Sequence, residues 1–249
     1  MHINDGIIPQ SHPRAKSLYT RDMLVRGYRR GLVVPEGLIA HGRGEAYDYL
    51  IGEHTTKPAR LAIRAAAAVL LLSKRPVISV NGNTAALCPR AVVELAEAAG
   101  AAIEVNLFYR TEKRELAIKE QLEINGAKNV LGVGSSASAG IPELQSERRR
   151  VDPDGIYVAD TVLVPLEDGD RTEALLNLNK TVITVDLNPL SRTARAANIT
   201  IVDNIVRAMP ALVEEAQELK GSRSLKKIIG NFDNKKNLRD SLEIIKGEV

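Results

Sequence analysis

PVISVNGNTAALCPRAVVELAEAAGAAIEVN, residues 76–106, decides the fold. Pro76–Asn81 is a short apolar run, the mark of a strand buried on both faces. A Gly/Asn turn follows, then a helix over about Pro89–Ala99, and Ala101–Asn106 is a second strand. A strand, a helix and a strand in such close succession imply parallel neighbours joined by a right-handed crossover.

The rhythm continues toward the C-terminus. Glu112–Ile124 is a helix ended by Asn125–Gly126, Asn129–Val133 a third strand, and Gly134–Gly140 a small-residue loop. The polar stretch Ser146–Asp154 interrupts the pattern and is expected to be a surface excursion. Strands are then expected at Ile156–Val164, Thr181–Asp186 and Thr200–Val202, with helices at Thr172–Asn179, Ser191–Ala197 and Ile205–Leu219. Leu238–Ile245 is expected to dock as a further helix.

Before residue 75 the pattern is helical. Pro13 opens a helix ending near Gly31. Pro35 opens either one helix or two short ones joined at His41–Gly44, because Gly42 and Gly44 interrupt the run. Thr56 and Pro58 start a third, alanine-rich helix reaching about Ser73. The expected class is α/β: a three-layer, mostly parallel sheet with a helical N-terminal extension. The expected regions are 1–74, helical and packed on the main domain; 75–220, the α/β region; and 221–249, a basic extension, partly helical.

At 249 residues the chain makes one large domain or two small ones, and its core needs no disulfide or metal. A content of 44% apolar and 26% charged residues excludes whole-chain disorder. The apolar run Ala65–Leu72 is too short to span a membrane. A single cysteine, Cys88, and a start without a long apolar stretch lead to a cytoplasmic expectation. The net charge is +3, and the first thirty residues carry six basic and two acidic side chains. That suits anionic small molecules or nucleic acid, but 3% aromatic content leaves little for stacking bases, so nucleic acid is not expected.

In open α/β sheets, ligands bind beyond the carboxyl ends of strands. Three segments occupy such positions: Asn81-Gly82-Asn83-Thr84, Gly132–Ser136 and Asp186-Leu187-Asn188. Their small residues let backbone N–H groups approach an anion, although turn chemistry alone also explains each loop. Neither G-x-x-x-x-G-K-[ST] nor G-x-G-x-x-G occurs, which disfavours a P-loop enzyme and a dinucleotide oxidoreductase. Asp186 either accepts ribose hydroxyls or caps a turn. Arg14 and Arg21 lie two helical turns apart, roughly on one face, and can converge on an anion. Arg43 stands between two glycines with room to approach a ligand. Glu167, Asp168 and Asp170 crowd one loop, where they hold Mg²⁺ or an ammonium, or else form a solvated turn. His41 or His54 can act as a general base or hold structure, and Cys88 reads as a buried small hydrophobe. The histidine spacings match no compact zinc motif.

Six longer strings together resemble one family. They are IPQSHPRAKSLYTRDMLVRG at 8–27, GLIAHGRGEAYDYLIGEHT at 37–55 and VNGNTAALCP at 80–89. Further along come VGSSASAGIPEL at 133–144, VLVPLEDGDRTEALL at 162–176 and VDLNPLSRTARAANITIVDNIVRAMP at 185–210. The chain resembles, over residues 1–220, the archaeal 4-phosphopantoate–β-alanine ligases, also called phosphopantothenate synthetases. The resemblance implies a Rossmann-like fold, a homodimer, and Mg²⁺- and ATP-dependent joining of 4-phosphopantoate to β-alanine in coenzyme A biosynthesis, releasing AMP and pyrophosphate. It implies ATP contacts at Arg21, Arg43, Asp186, Leu187, Asn188, Arg192, Thr193, Asn204 and Ile205. An acyl-adenylate is the expected intermediate. Arg14 and Asn81–Thr84 are expected at the phosphopantoate, and Glu167, Asp168 and Asp170 at Mg²⁺ or the ammonium of β-alanine.

Overall fold

The computed structural model describes residues 8–166 and 169–247. Three helices come first: α1 (Ala15–Arg29), α2 (Pro35–Leu50) and α3 (Lys57–Leu72). Then follow β1 (Pro76–Val80), α4 (Gly82–Leu87), α5 (Pro89–Ala99), β2 (Ala102–Val105) and α6 (Glu112–Ile124). Two short strands, β3 (Ala139–Gly140) and β4 (Arg150–Val151), pair antiparallel. The second half runs β5 (Thr161–Pro165), α7 (Gly169–Asn177), β6 (Thr181–Val185), α8 (Arg192–Ala196) and β7 (Ile199–Ile201). Last come α9 (Ile205–Leu219), α10 (Leu225–Gly230) and α11 (Asn234–Lys246).

The main sheet has five strands in the order β2-β1-β5-β6-β7, all parallel. Side chains alternate across it, as the period-two geometry of a strand requires. Ile78, Val80, Leu163, Ile183 and Val185 share a core with α3, α5 and α9. Val77, Val162, Val164 and Val182 pack on the opposite face against α7 and the loop region that carries β3 and β4. The result is a Rossmann-like three-layer α/β fold. No helix among the described residues is long and apolar enough to cross a membrane.

Local chemistry explains the element boundaries. Thr56 caps α3 by accepting the N–H of Ala59 at 3.3 Å, and the buried alanines of α3 allow close packing on α9. α2 is one continuous helix despite Gly42 and Gly44. Two interior glycines cost a helix about 2 kcal/mol. That is too little to break one tied to α1 through Glu45 and to α9 through Asp48. At the far edge of the sheet, Asn234 accepts the N–H of Thr200 at 2.8 Å and Asn237 donates to its carbonyl at 2.9 Å. α11 thus covers the open edge of β7 and begins earlier than the expected docking helix.

Three sequence expectations need correction. Asn129–Val133 is not a strand: Leu131 makes a single bridge to Glu104, and Gly132, at φ +75°, turns the chain away. Ser146–Asp154 is not simply a surface excursion, because Arg148 and Asp152 are buried. Ile156–Val164 does not extend as one strand, since β5 starts only at Thr161. The buried Glu104 carboxylate accepts the N–H groups of Asp152 and Ile156 and holds that segment in turns.

The strand order also locates a site. The chain leaves β1 for β2 on one side, then returns to place β5 on the other, so its direction of travel reverses between β1 and β5. A crevice opens outside the carboxyl ends at such a reversal. Asn81 ties the two ends together there, donating to the carbonyls of Pro165 at 2.9 Å and Leu166 at 3.3 Å.

Candidate functional site

Two clefts flank this point and share Ala40, Asn83 and Leu166. The first encloses about 380 Å³. His41, Arg43, Gly44 and Tyr47 of α2 form one wall, and Asp186, Leu187 and Asn188, just past β6, form the other. Ser191 and Thr193 at the start of α8, with Asn204 and Ile205 at the start of α9, close its end. Two helix N-termini and an arginine facing one space create a region of positive potential.

Asp186 and Asn204 are each held from behind. Asp186 accepts the Asn188 N–H at 2.9 Å and the Ser191 hydroxyl. Burial pushes the Asp186 carboxyl above its ordinary pKa, while those two bonds and the charge of Arg43 pull it back. Asn204 caps α9 and donates its amide to Asp48 at 2.7 Å. Asp48 and Asp203 both pair with Arg207, and Asp203 also accepts Thr55 Oγ1 at 2.7 Å. This buried network fixes α2 to the start of α9, which sets one wall of the cleft against its closed end. Asp48 is the only residue of α2 that is fully buried.

His41 Nε2 is buried and has no hydrogen-bond partner. Burial lowers the imidazole pKa; Glu45 opposes that, Arg21 adds to it, and Asp48 opposes it. The ring is therefore a neutral base at ordinary pH.

The second cleft, about 270 Å³, lies across Asn83 and Leu166 from the first. Asn81, Gly82 and Asn83 form its floor, and Arg114, Arg148, Phe108 and Tyr109 stand around it. Gly82 is needed for packing, because a Cβ there would sit 2.1 Å from the Leu32 carbonyl oxygen. Asn83 donates to the Gly37 carbonyl at 2.8 Å and so joins this floor to α2.

A family model described as phosphopantothenate/pantothenate synthetase matches residues 58–248. The chain is also similar to proteins named 4-phosphopantoate–β-alanine ligase. The one from Thermococcus kodakarensis is 56% identical over 238 residues, covering 94% of this chain and 90% of the relative. That from Thermococcus onnurineus is 56% identical with the same coverage, and that from Methanosarcina mazei is 53% identical, covering 96% and 94%. This chain belongs to the phosphopantothenate/pantothenate synthetase family.

In this synthetase-family chain, the first cleft gathers Arg43, Asp186, Leu187, Asn188, Thr193, Asn204 and Ile205, seven of the nine residues expected at ATP. The other two, Arg21 and Arg192, are salt-bridged outside its lining. Arg21 and Arg14 do converge on an anion, but it is the Glu45 carboxylate, at 2.9 and 3.5 Å. Arg192 pairs with Glu173 at 2.8 Å. Thr84 is fully buried and donates to Asn81, so it supports the floor of the second cleft without lining it.

Asp170 is exposed in the first turn of α7, while Glu167 and Asp168 lie outside the described residues. Among the described residues no group of three His, Cys, Asp or Glu side chains is arranged to hold a metal. The loop at Gly132–Ser136 is not an open anion site. Its Gly132 and Gly134 N–H groups already donate to Asp152 at 3.0 Å and Glu115 at 2.9 Å. His54 bonds the nearby Gly52 carbonyl and lines neither cleft. Cys88 is buried, and burial pushes its thiol far from the reactive range.

Sequence reasoning did not single out Glu45, Asp48, Arg207, Arg114 or Arg148. The buried Arg148 amid a polar stretch gave no local signal, since burial of an arginine is decided by distant partners.

Proposed function

We propose that this protein joins 4-phosphopantoate to β-alanine using ATP, releasing AMP and pyrophosphate and yielding 4′-phosphopantothenate for coenzyme A synthesis. The observation that carries this reading is the pair of adjoining clefts at the β1/β5 reversal, sharing Ala40, Asn83 and Leu166. The names of the similar proteins supply the substrates.

ATP, entering as its Mg²⁺ complex, takes the first cleft. Asp186 and Asn188 meet the nucleoside, and Asn204 and Ile205 offer the N-terminus of α9. Arg43 neutralises phosphate charge. Arg21 and Arg192 adjoin lining residues and can exchange their carboxylate partners for the triphosphate. The substrate carboxylate reaches in from the second cleft. Its oxygen attacks the α-phosphorus, the bond to the β-phosphate oxygen breaks, and pyrophosphate leaves. The neutral amine of β-alanine then attacks the acyl carbon, and the bond to AMP breaks. The amine must first lose a proton, and the unpartnered Nε2 of His41, on the wall of the first cleft, can take it. A homodimer is part of this reading. Its support is the exposed apolar surface of α2, where Ile39, Tyr49 and Leu50 are 73%, 68% and 53% exposed.

A rapid-quench assay tests the reaction. With Mg²⁺-ATP and phosphopantoate alone, wild-type protein releases pyrophosphate; adding β-alanine releases AMP. Arg43→Ala slows the first phase by about 2–4 kcal/mol of barrier. His41→Gln retains the pyrophosphate phase and slows AMP release. Absence of AMP and amide with all three substrates would refute the function, and an unslowed second phase in His41→Gln would refute its role as base.

A further inference from the structure

A carboxylate and an α-phosphorus that come from adjoining clefts meet at what the clefts share. Three residues line both: Ala40, Asn83 and Leu166. Ala40 ends at its Cβ. Asn83 is turned toward α2: its amide donates to the Gly37 carbonyl at 2.8 Å, and a Cβ at Gly37 would meet its side-chain oxygen at 2.5 Å. Leu166 is therefore the one large apolar side chain on the shared wall. It is half-buried and packs against the main core.

The backbone at this position is unusual for a leucine. Leu166 has φ +54°, in the left-handed region that crowds a Cβ against the following carbonyl. The other non-glycine cases among the described residues are Glu53 and Asn179. Both close turns after helices, where the conformation is ordinary. Leu166 instead follows a strand. Its N–H donates to the Val185 carbonyl at 3.1 Å, and its carbonyl accepts the Asn81 amide at 3.3 Å. The end of β6 and the N-cap of α4 thus hold it from both sides. Glycine takes this conformation without steric cost, yet here a branched apolar side chain is held in it. Backbone strain over-determined by its surroundings is a mark of functional positions.

The chemistry at the junction gives that side chain a task. An acyl-adenylate is a mixed anhydride, which water can open as an amine can. In the hydrolysis a water oxygen attacks the acyl carbon, the bond from that carbon to the phosphate oxygen of AMP breaks, and a water proton passes to a base. The acid is returned, and ATP has been split to AMP and pyrophosphate with no amide formed. His41 gives no protection, because a base that takes a proton from the amine also takes one from water. Discrimination must come from the wall around the acyl carbon. The side chains of Ala40 and Leu166 offer no hydrogen bond to hold an attacking water.

We propose that Leu166 is a specificity-determining residue whose side chain keeps water from the acyl carbon, so that the amine of β-alanine receives the acyl group. This rests on the ligase reading above.

The test measures AMP, pyrophosphate and amide for wild type, Leu166→Gly, Leu166→Ala and Leu166→Met. Wild type makes amide and AMP in equal amounts. Leu166→Gly relieves the backbone and Leu166→Ala keeps its strain, but both open the wall. In both, AMP release without β-alanine rises roughly 10-fold or more, the discrimination that a few apolar wall atoms supply. Amide formed per AMP falls accordingly, whereas Leu166→Met, which keeps the apolar bulk, keeps the ratio. Loss of stability alone would lower both products together and leave the ratio unchanged. The proposal is overturned if folded Leu166→Gly and Leu166→Ala proteins retain the wild-type ratio. A second measurement needs no variant: wild type given Mg²⁺-ATP and phosphopantoate alone releases AMP far more slowly than pyrophosphate, and equal rates would also overturn the proposal. Wild-type protein that makes neither AMP nor amide from all three substrates would instead refute the ligase reading itself.

Discussion

Replacing Asp48 with alanine should destabilise the protein and weaken nucleotide binding together. The carboxylate is 3% exposed, accepts the Asn204 amide at 2.7 Å and pairs with Arg207. Its removal strands a buried amide, which costs about 1–3 kcal/mol. Stranding a buried charge outright costs about 3–5 kcal/mol. Arg207, however, keeps Asp203 through bonds of 2.8 and 2.6 Å and is 24% exposed, so that penalty is only partly incurred. The sum is about 3 kcal/mol, or roughly 6–12 °C in Tm for a chain of this size. Asn204 also loses the partner that orients it in the first cleft, so KM for ATP should rise. Asp48→Asn, which keeps an acceptor oxygen, should lose about 1 kcal/mol. Thermal unfolding and ATP kinetics on the three proteins decide the matter. An Asp48→Ala protein melting within about 2 °C of wild type would refute the energetic argument. A large fall in Tm with unchanged KM for ATP would refute the positioning of Asn204.

Two further perturbations probe other joints. Gly82→Ala forces a Cβ to within 2.1 Å of the Leu32 carbonyl oxygen, and overpacking of this kind costs about 1–3 kcal/mol. The urea midpoint should fall and KM for phosphopantoate should rise; an unchanged midpoint would mean that the Leu32 backbone yields freely. The second concerns Glu104, whose carboxyl burial pushes from 4.5 up to about 7 against the pull of two backbone N–H bonds and Arg171. Between those values the folded chain binds more protons than the unfolded one, so stability falls as pH rises from about 4.5 to 7. The loss is at most about 3 kcal/mol. Subtracting the pH–stability curve of Glu104→Gln from that of wild type isolates this slope, and a flat difference would contradict it.

The strands were legible where apolar runs were short and bounded, as at Pro76–Val80 and Thr181–Val185. The run around Leu131 has the same composition, yet only one bridge forms before the positive φ of Gly132 diverts it. Composition reports burial, not hydrogen-bond registry. Ser146–Asp154 misled for the opposite reason: Arg148 and Asp152 enter the interior because the Asn106 carbonyl and the Gly132 N–H receive them there. In the candidate site, Asp186 was readable because a strand end marks it locally, whereas Asn204 came only from the family resemblance. The Arg21–Glu45 pair spans 24 positions and Asp48–Arg207 spans 159, separations at which no periodicity links the partners.

The way α2 is mounted bears on how such a cleft can be retuned. A helix held at a few points (Glu45, Asp48 and the Gly37 carbonyl), with most of its other positions half-buried or exposed, can accept new side chains at the exposed ones without repacking the hydrophobic centre. Substitutions at exposed positions of this kind cost on the order of 0.5 kcal/mol or less. The wall that α2 gives the first cleft can therefore change its chemistry along this one rod while the sheet stays as it is, provided position 48 keeps its acid.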